Sequence, residues 1–257
     1  MRFCCLGSGS EGNSLIVETD FGTKTKILVD CGLKFDVLKE RLSDQEVCAS
    51  DIDGIFITHE HVDHIRSAAK FALVYETPIF MTHGSFYASG ESFKKINSLF
   101  FLRSDKVTIL NGLKILPFSI PHDAREPVAL VFQDSKHRLG ILTDSGSITP
   151  HITESLSKLD GLILEFNYDL NLLKKSRYPP TLKKRISSQF GHLSNNAAAN
   201  LLREIYHEKM QVVVAAHLSK NNNTPELVDR MLQKVQLDSV KTVIACQSEP
   251  TGWINLS

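Results

Sequence analysis

Residues 53–64 read DGIFITHEHVDH. The first half is a short apolar, β-branched run, the composition of a buried strand. The second half places His59, His61, Asp63 and His64, four potential metal ligands, within six residues. Side chains at i and i+2 of an extended chain point the same way, so His59 and His61 can share one ion. A helix beginning at Asp63 would put Asp63 and His64 in its first turn, within reach of a second ion. Imidazole and carboxylate donors suit zinc or another first-row divalent metal. Three ordinary loop histidines are the alternative, but H-x-H-x-D-H directly after an apolar strand is a specific pattern.

The same design recurs along the chain. TKILVD ends at Asp30, LKILPFSIPHD reaches His122 and RLGILTD ends at Asp144. GLILEF carries Glu165, and QVVVAAH ends at His217. Functional groups gathered at strand ends are how α/β sheets build sites. Between these runs the sequence predicts helices over Phe35–Leu42, Asp63–Tyr75 (stopping before Pro78), Asn195–Glu208 after an N-cap at Ser194, and Pro225–Val235 after Thr224. Leu170–Gln189 carries no clear element. There is no repeat, low-complexity tract or linker. The pattern suggests sheets packed on each other with helices outside.

At 257 residues, 42% hydrophobic and 23% charged, the chain has the composition of a globular protein with a real core. Its five cysteines, Cys4, Cys5, Cys31, Cys48 and Cys246, form no C-x-x-C pair, which fits a reducing cytoplasm. The start MRFCCLGSGSEG has no sustained apolar region, so no signal peptide is expected. No run approaches the roughly 18 apolar residues of a spanning helix. A cytoplasmic protein without a membrane partner follows. The 29 Lys and Arg balance 29 Asp and Glu, which argues against bulk, non-specific binding to nucleic acid. Six of those cations fall in the twelve residues KKSRYPPTLKKR: Lys174, Lys175, Arg177, Lys183, Lys184 and Arg185. Such a run is either a solvated loop or a local patch for an anionic partner.

Taken in order, Asp30, His59–His64, His122, Asp144 and His217 resemble the metallo-β-lactamase-fold hydrolases, over nearly the whole chain. The resemblance implies an α/β fold, a four-layer αββα sandwich with a dinuclear metal cleft at one edge, as a single domain over 1–257. It implies that His59, His61 and His122 hold the first metal and that Asp63, His64 and His217 hold the second. Asp144 would bridge them, and Asp30 would support the metal loop from behind. Two ions at the usual ~3.5–4 Å generate a nucleophile and clamp the reacting group. His83, His137, His151 and His207 are left as surface or packing positions.

A fold alone names no reaction. Phe190-Gly191-His192-Leu193-Ser194 resembles the G-H-S element of the tRNA-processing and related nucleases of this superfamily. There the histidine lies over the metals and aids protonation of the leaving oxygen. Glu165 stands where the accompanying acid belongs, and a carboxylate would fix the ring and raise its pKa. The basic stretch lies between Glu165 and His192, so both its ends are tied near the cleft. There it could position a phosphodiester backbone, with Tyr178 available to stack on a base. Only 72 residues separate Asp144 from His217. The extra domain that larger nucleases of the superfamily insert there does not fit.

The finer resemblance is to the YycJ/WalJ group. It rests on LGSGSEGNS at 6–14, THEH at 58–61, PHDA at 121–124, GHLSN at 191–195 and HLSKNN at 217–222. That group is associated with 5′-to-3′ exonuclease activity on DNA. Where it carries an LESN-like string, this chain has Leu164-Glu165-Phe166-Asn167, which keeps the acid and alters its neighbour. The Gly/Ser loop, with Ser8, Ser10 and Asn13, could offer N–H groups to a phosphate or could be a hairpin turn.

The reading that results is a dinuclear metal-dependent phosphodiester hydrolase, a 5′-to-3′ DNA exonuclease. Asp63 would accept the nucleophile's proton, and His192, held by Glu165, would serve the leaving oxygen. The ions could be Zn, Mn, Fe or Ni. A small-molecule or cyclic phosphodiesterase is the nearest rival and would not need the basic stretch. A non-catalytic nucleic-acid-binding or signalling accessory protein on the same fold is the rival from another class. No obligate protein partner is readable.

Overall fold

The computed structural model describes residues 1–257 apart from Phe21, Thr23 and Asp238. Among the described residues fourteen strands run β1 (Arg2–Gly7), β2 (Ser14–Asp20), β3 (Lys24–Val29), β4 (Gly54–Phe56), β5 (Ile79–Thr82), β6 (Leu99–Leu102), β7 (Thr108–Leu110), β8 (Leu113–Ser119), β9 (Val128–Gln133), β10 (Arg138–Leu142), β11 (Gly161–Glu165), β12 (Val212–Ala216), β13 (Lys241–Ile244) and β14 (Ile254–Asn255). They form two seven-stranded sheets, ordered β14-β1-β2-β3-β4-β5-β6 and β13-β12-β11-β10-β9-β8-β7. Both are mixed: the hairpins β1–β2–β3 and β8–β9–β10 pair antiparallel, while β3–β4–β5–β6 and β10–β11–β12–β13 pair parallel. Parallel strands covered on both faces read as unbroken apolar runs. GLILE in β11 and VVVAA in β12 are such runs, buried at every position.

Three apolar clusters make four layers. Phe3, Val17, Ile27 and Phe56 of the first sheet meet Leu130, Phe132, Ile141, Ile163 and Val214 of the second in the middle layer. The Phe56 ring lies edge-on to Phe132 at 6.2 Å and stacks on Phe80 at 4.5 Å. On the outer face of the first sheet lie α1 (Phe35–Asp44) and α3 (Ala68–Tyr75), burying Leu38, Leu42 and Phe71. On the outer face of the second lie α5 (Pro150–Ser155), α8 (Asn195–Ile205) and α9 (Pro225–Gln233), burying Ile152, Leu201, Leu202, Val228 and Leu232. The αββα expectation holds.

Two expectations about helices do not. The helix expected over 63–75 is broken into α2 (Val62–Ile65) and α3. A continuous helix would spend the His64 carbonyl on residue 68; here it accepts from Cys31 N at 2.7 Å. Ser67 is pulled to the same segment, its N–H on Cys31 O (2.8 Å) and its hydroxyl on Leu33 O (2.6 Å). The supposedly structureless 170–189 folds as α6 (Leu170–Lys175) and α7 (Pro180–Ile186). Asp169 caps α6 by accepting from Asn171 N and Leu172 N, both at 2.9 Å. Pro180 opens α7 at a position where its missing N–H costs nothing.

The strand ends carry the site, and three of them turn sharply. Asp30, Asp144 and His217 have φ of 59°, 59° and 55°. This left-handed backbone costs a non-glycine residue about 1–3 kcal/mol, and such residues cluster at functional sites. Each lies within two residues of a strand's C-terminal end.

Candidate metal centre

The loop from β4 into α2 presents His59 and His61, and the loop after β8 brings in His122. His61 Nδ1 lies 3.1 Å from His59 Nε2 and 3.2 Å from His122 Nε2. Three nitrogens bonded tetrahedrally to one ion at about 2.0–2.1 Å lie about 3.3 Å apart, so the spacing suits a shared ion. His122 Nδ1 faces the Gly191 carbonyl at 3.1 Å. A carbonyl only accepts, so Nδ1 carries the proton and Nε2 offers a lone pair. Burial pushes His59 well below, and His122 below, the ordinary imidazole value, so both are neutral ligands.

A second donor set lies alongside. His64 Nδ1 donates to Asp30 Oδ2 at 2.8 Å, which turns Nε2 toward Asp63 Oδ2 (3.6 Å) and Asp144 Oδ2 (3.2 Å). His217 Nε2 stands 3.6 Å from the same Asp63 oxygen. Asp144 faces both sets, with Oδ1 3.9 Å from His122 Nε2 and Oδ2 toward His64. Asp144 Oδ2 and His217 Nε2 are buried and have no hydrogen-bond partner among the described residues. Buried polar atoms are rarely left so. Here each faces other donors, the arrangement of ligand atoms around a cation. Burial alone would push His64 and His217 down. The carboxylates of Asp144, Asp30, Asp63 and Glu165 outweigh it, holding His64 well above its usual value and His217 at about 10. A field that favours protons on these rings equally favours a metal ion between them. The residues fit a divalent metal on orphaned atoms, spacing and donor chemistry alike.

Asp30 ties the histidine loop together through both carboxylate oxygens. Oδ1 accepts from Thr58 N and Oδ2 from Thr58 Oγ1, both at 2.9 Å, besides holding His64. Gly32 lets the metal loop come close. Its N–H donates to Asn13 O, Asn13 N–H donates to Asp63 O, and a Cβ at Gly32 would fall inside the Asp63 carbonyl.

Glu165 does more than expected. β11 pairs parallel with β12 in a register that sets Glu165 opposite Ala216, so its carboxylate reaches the next residue, His217. Oε1 accepts from His192 Nδ1 and His217 Nδ1, both at 2.9 Å. Oε2 accepts from Leu193 N at 2.9 Å and Ser145 N at 3.3 Å. One fully buried carboxylate thus orients the candidate ligand His217 and the G-H-S histidine together. Burial pulls His192 down, but Glu165 and Asp144 beside it leave its pKa raised. Its side chain is 22% exposed, within reach of solvent and substrate.

The expected substrate residues scatter. Ser8 and Asn13 are buried. Ser8 Oγ accepts from His217 N at 2.7 Å, and Asn13 Nδ2 lies 3.2 Å from His64 Nε2 while Oδ1 accepts from Gly9 N. Both thus lie against candidate metal ligands, His217 and His64. Ser10 is exposed. In the basic segment, Lys183 is spent on the Lys174 carbonyl at 2.7 Å, fastening α7 to α6, and the Tyr178 hydroxyl accepts from Asn221 at 2.9 Å. Lys174, Lys175, Arg177 and Lys184 are exposed. Arg185 reaches the site: its Nε donates to Asp123 Oδ2 at 2.5 Å, and Asp123 Oδ1 lies 3.7 Å from His122 Nε2 and 4.0 Å from His61 Nε2.

Sequence reasoning missed Thr58, Asp123 and Asn167, whose Nδ2 donates to His217 O at 2.9 Å. Thr58 and Asp123 stand beside ligands inside the strings THEH and PHDA, and that adjacency was the available signal.

The chain matches the family model described as the β-lactamase superfamily domain over residues 25–217. It is 30% identical over 237 residues to a protein of Bacillus anthracis named exodeoxyribonuclease YycJ, covering 91% of this chain and 89% of that one. It is 31% identical over 230 residues to exodeoxyribonuclease WalJ of Streptococcus pneumoniae serotype 2, covering 88% and 84%. Among solved structures, the metallo-β-lactamase-fold protein YhfI of Bacillus subtilis superposes with a TM-score of 0.73, at 17% identity over 97% of this chain and 98% of that one, which speaks for the fold alone. Site, fold and relatives agree that the chain belongs to the metallo-β-lactamase-fold hydrolases, in the YycJ/WalJ group.

Proposed function

We propose that this protein is a dinuclear metal-dependent exonuclease that hydrolyses DNA phosphodiesters in the 5′-to-3′ direction, as one domain in the cytoplasm. The observation that carries the reading is Glu165, buried between His217 and His192 and holding both by Nδ1. It couples a metal ligand to a histidine poised as a general acid. The names of the YycJ and WalJ relatives support a deoxyribonuclease. Neither the small-phosphodiesterase reading nor the accessory-protein reading calls for both this pair and the ordered Arg185 beside the metal ligands.

His59, His61 and His122 would hold one ion and Asp63, His64 and His217 the other, with Asp144 between them; Zn, Mn, Fe and Ni all suit the donors. When bound, two such ions activate water and stabilise the charge of the phosphoryl group. The remaining work belongs to the side chains. Asp63, at 24% exposed the most open carboxylate of its set, accepts the proton released as water adds to phosphorus. The P–O bond to the leaving group breaks, and His192 delivers a proton from Nε2, the ring nitrogen not held by Glu165. Arg185, with Lys174, Lys175, Arg177 and Lys184, steers the anionic strand toward the cleft.

The test is degradation of end-labelled duplex DNA, single-stranded DNA and RNA by the metal-loaded protein, with Asp63→Ala as the blank. Mononucleotides appearing progressively from the 5′ end, absent in the blank, are expected. No cleavage of any polymer by fully loaded protein would overturn the reading in favour of small phosphodiesters.

A further inference from the structure

We propose that Phe190 is a nucleobase subsite: its ring stacks on the base of the nucleotide whose phosphodiester is being cut. The inference rests on the nucleic-acid reading above and deepens it.

Phe190 is 57% exposed, beside a buried metal centre. A loose surface loop would explain an exposed ring, but this loop is clamped. Ser188 N donates to Arg185 O at 3.2 Å, Gly191 N to Ser188 O at 3.0 Å and His192 N to Ile186 O at 2.9 Å. Phe190 N reaches Ser188 Oγ at 3.3 Å, and Ser147 Oγ donates to Gln189 O at 3.1 Å. The backbone of Gly146 lies so close to Gln189 and Gly191 that a Cβ there would collide with both. The same holds for Gly191 against the carbonyls of Arg185 and Ile186. The ring is therefore presented on a fixed backbone, which lowers the ordering cost of binding.

Its chain neighbours bring its backbone to the site. One residue onward, the Gly191 carbonyl accepts from the metal-ligand ring of His122. Two residues onward, His192 sits against Glu165 and 3.4 Å from Asp144. Five residues back, Arg185 is anchored to Asp123 at the rim. Along the chain Phe190 lies between the cation that would hold a phosphate and the histidine that would protonate the leaving oxygen, and its ring is open to solvent.

The surroundings select the ligand. Residues 184–189 before it read Lys-Arg-Ile-Ser-Ser-Gln; Ile186, the one apolar side chain among them, is half-buried, while Lys184, Arg185, Ser187 and Gln189 are exposed. A protein partner would want a contiguous apolar patch. A single aromatic face among cations and hydroxyls suits a base with phosphates on either side. Stacking of this kind is tolerant of base identity, which is what an enzyme consuming a strand end nucleotide by nucleotide requires.

The test compares metal-loaded wild type, Phe190→Ala and Phe190→Trp on single-stranded oligodeoxynucleotides with the terminal base present or replaced by an abasic site. On the intact substrate Phe190→Ala is expected to raise KM roughly 5- to 150-fold, the range for one base–aromatic stack, with a much smaller change in kcat. Phe190→Trp is expected to restore KM. Removing the base from the substrate is expected to raise KM for wild type by a similar factor but to add little for Phe190→Ala. A terminal 2-aminopurine, followed by stopped flow before turnover, is expected to be quenched on binding wild type and not on binding Phe190→Ala. Wild-type KM and quenching in Phe190→Ala, or independent effects of the two deletions, overturn the proposal. Wild-type protein that cleaves bis(p-nitrophenyl) phosphate but no polynucleotide overturns the nucleic-acid reading and the subsite with it, an outcome visible before any substitution is made.

Discussion

Replacing Glu165 by Gln keeps the shape of a buried side chain and removes its charge. The carboxylate makes four contacts, to His192 Nδ1, His217 Nδ1, Leu193 N and Ser145 N. An amide offers one acceptor oxygen and one NH2. If the oxygen faces the two rings, the NH2 confronts two backbone N–H groups that cannot move. If the oxygen faces the backbone, the NH2 donates to both rings, which must then carry their proton on Nε2. The second arrangement leaves fewer donors facing donors, since a ring proton can relocate and a backbone amide cannot. It takes the His217 lone pair away from the cleft. Losing a partner behind a metal ligand typically costs 10–100-fold in metal affinity. Forcing the wrong imidazole tautomer in a comparable hydrogen-bonded triad costs about 10⁴ in kcat. The expected result is metal affinity down about 10- to 100-fold and kcat at saturating metal down about 10²–10⁴-fold. The assay is metal titration by calorimetry, with turnover of a small phosphodiester and of an oligonucleotide, after circular dichroism confirms the fold. A Glu165→Gln protein with wild-type metal affinity and kcat within a few-fold would refute the shared-carboxylate argument.

Three further predictions test separate parts of the molecule. Gly32→Ala would place a Cβ inside the Asp63 carbonyl and should destabilise by at least the ~1–3 kcal/mol of ordinary overpacking while lowering metal content; unchanged melting and metal stoichiometry would contradict it. Arg185→Ala should reduce the slope of log Kd against log salt for DNA by about one, read by anisotropy at several ionic strengths; an unchanged slope means that Arg185 meets no phosphate. Glu18 is buried between Arg2 (2.7 Å) and Lys24 (3.3 Å); burial pushes its pKa up, but the two cations outweigh that and leave it lowered. A depressed carboxyl stabilises the fold above its unfolded value of about 4.3, and that contribution is lost as pH falls through the folded value. Glu18→Gln should therefore melt earlier than wild type at pH 7, with the difference closing at pH below about 4; a gap that persists into acid would sink the assignment.

The ligands were legible because each follows an apolar strand, and a strand end is a local feature. His59, His61, His122 and Asp144 can be picked out without knowing what they touch. What a short window cannot show is register between distant strands. Glu165 reaches His217 because β11 and β12 lie side by side, and nothing within ten residues of either announces it. The broken helix after Val62 was hidden for the same reason: the competitor for the His64 carbonyl is Cys31, more than thirty residues earlier. The burial of Ser8 and Asn13 was hidden because small polar residues in a glycine-rich loop look solvent-facing; here their partners are His217 and His64 from other elements. The α6–α7 pair was missed because its charge density masks its start signals, the Asp169 cap and Pro180 at the first helical position.

The division of donors between the sheets gives the centre its dependence on the whole fold. Asp30 and residues 59–64 follow strands of the first sheet; His122, Asp144, Glu165 and His217 follow strands of the second. The clusters His59–His61–His122 and Asp63–His64–His217 each draw on both sheets, whereas Asp144, Glu165, His192 and His217 cluster from the second sheet's side alone. The contact of Phe56 with Phe132 spans the sheets two residues before Thr58 and so sets how closely the donor loops approach. An ion held by donors from both halves would bind the assembled fold and not its separated parts, so its binding free energy would add to the stability of the sheet interface. The left-handed strand ends at Asp30, Asp144 and His217 and the buried carboxylates beside them, unfavourable taken singly, would thereby be offset by the ion they face.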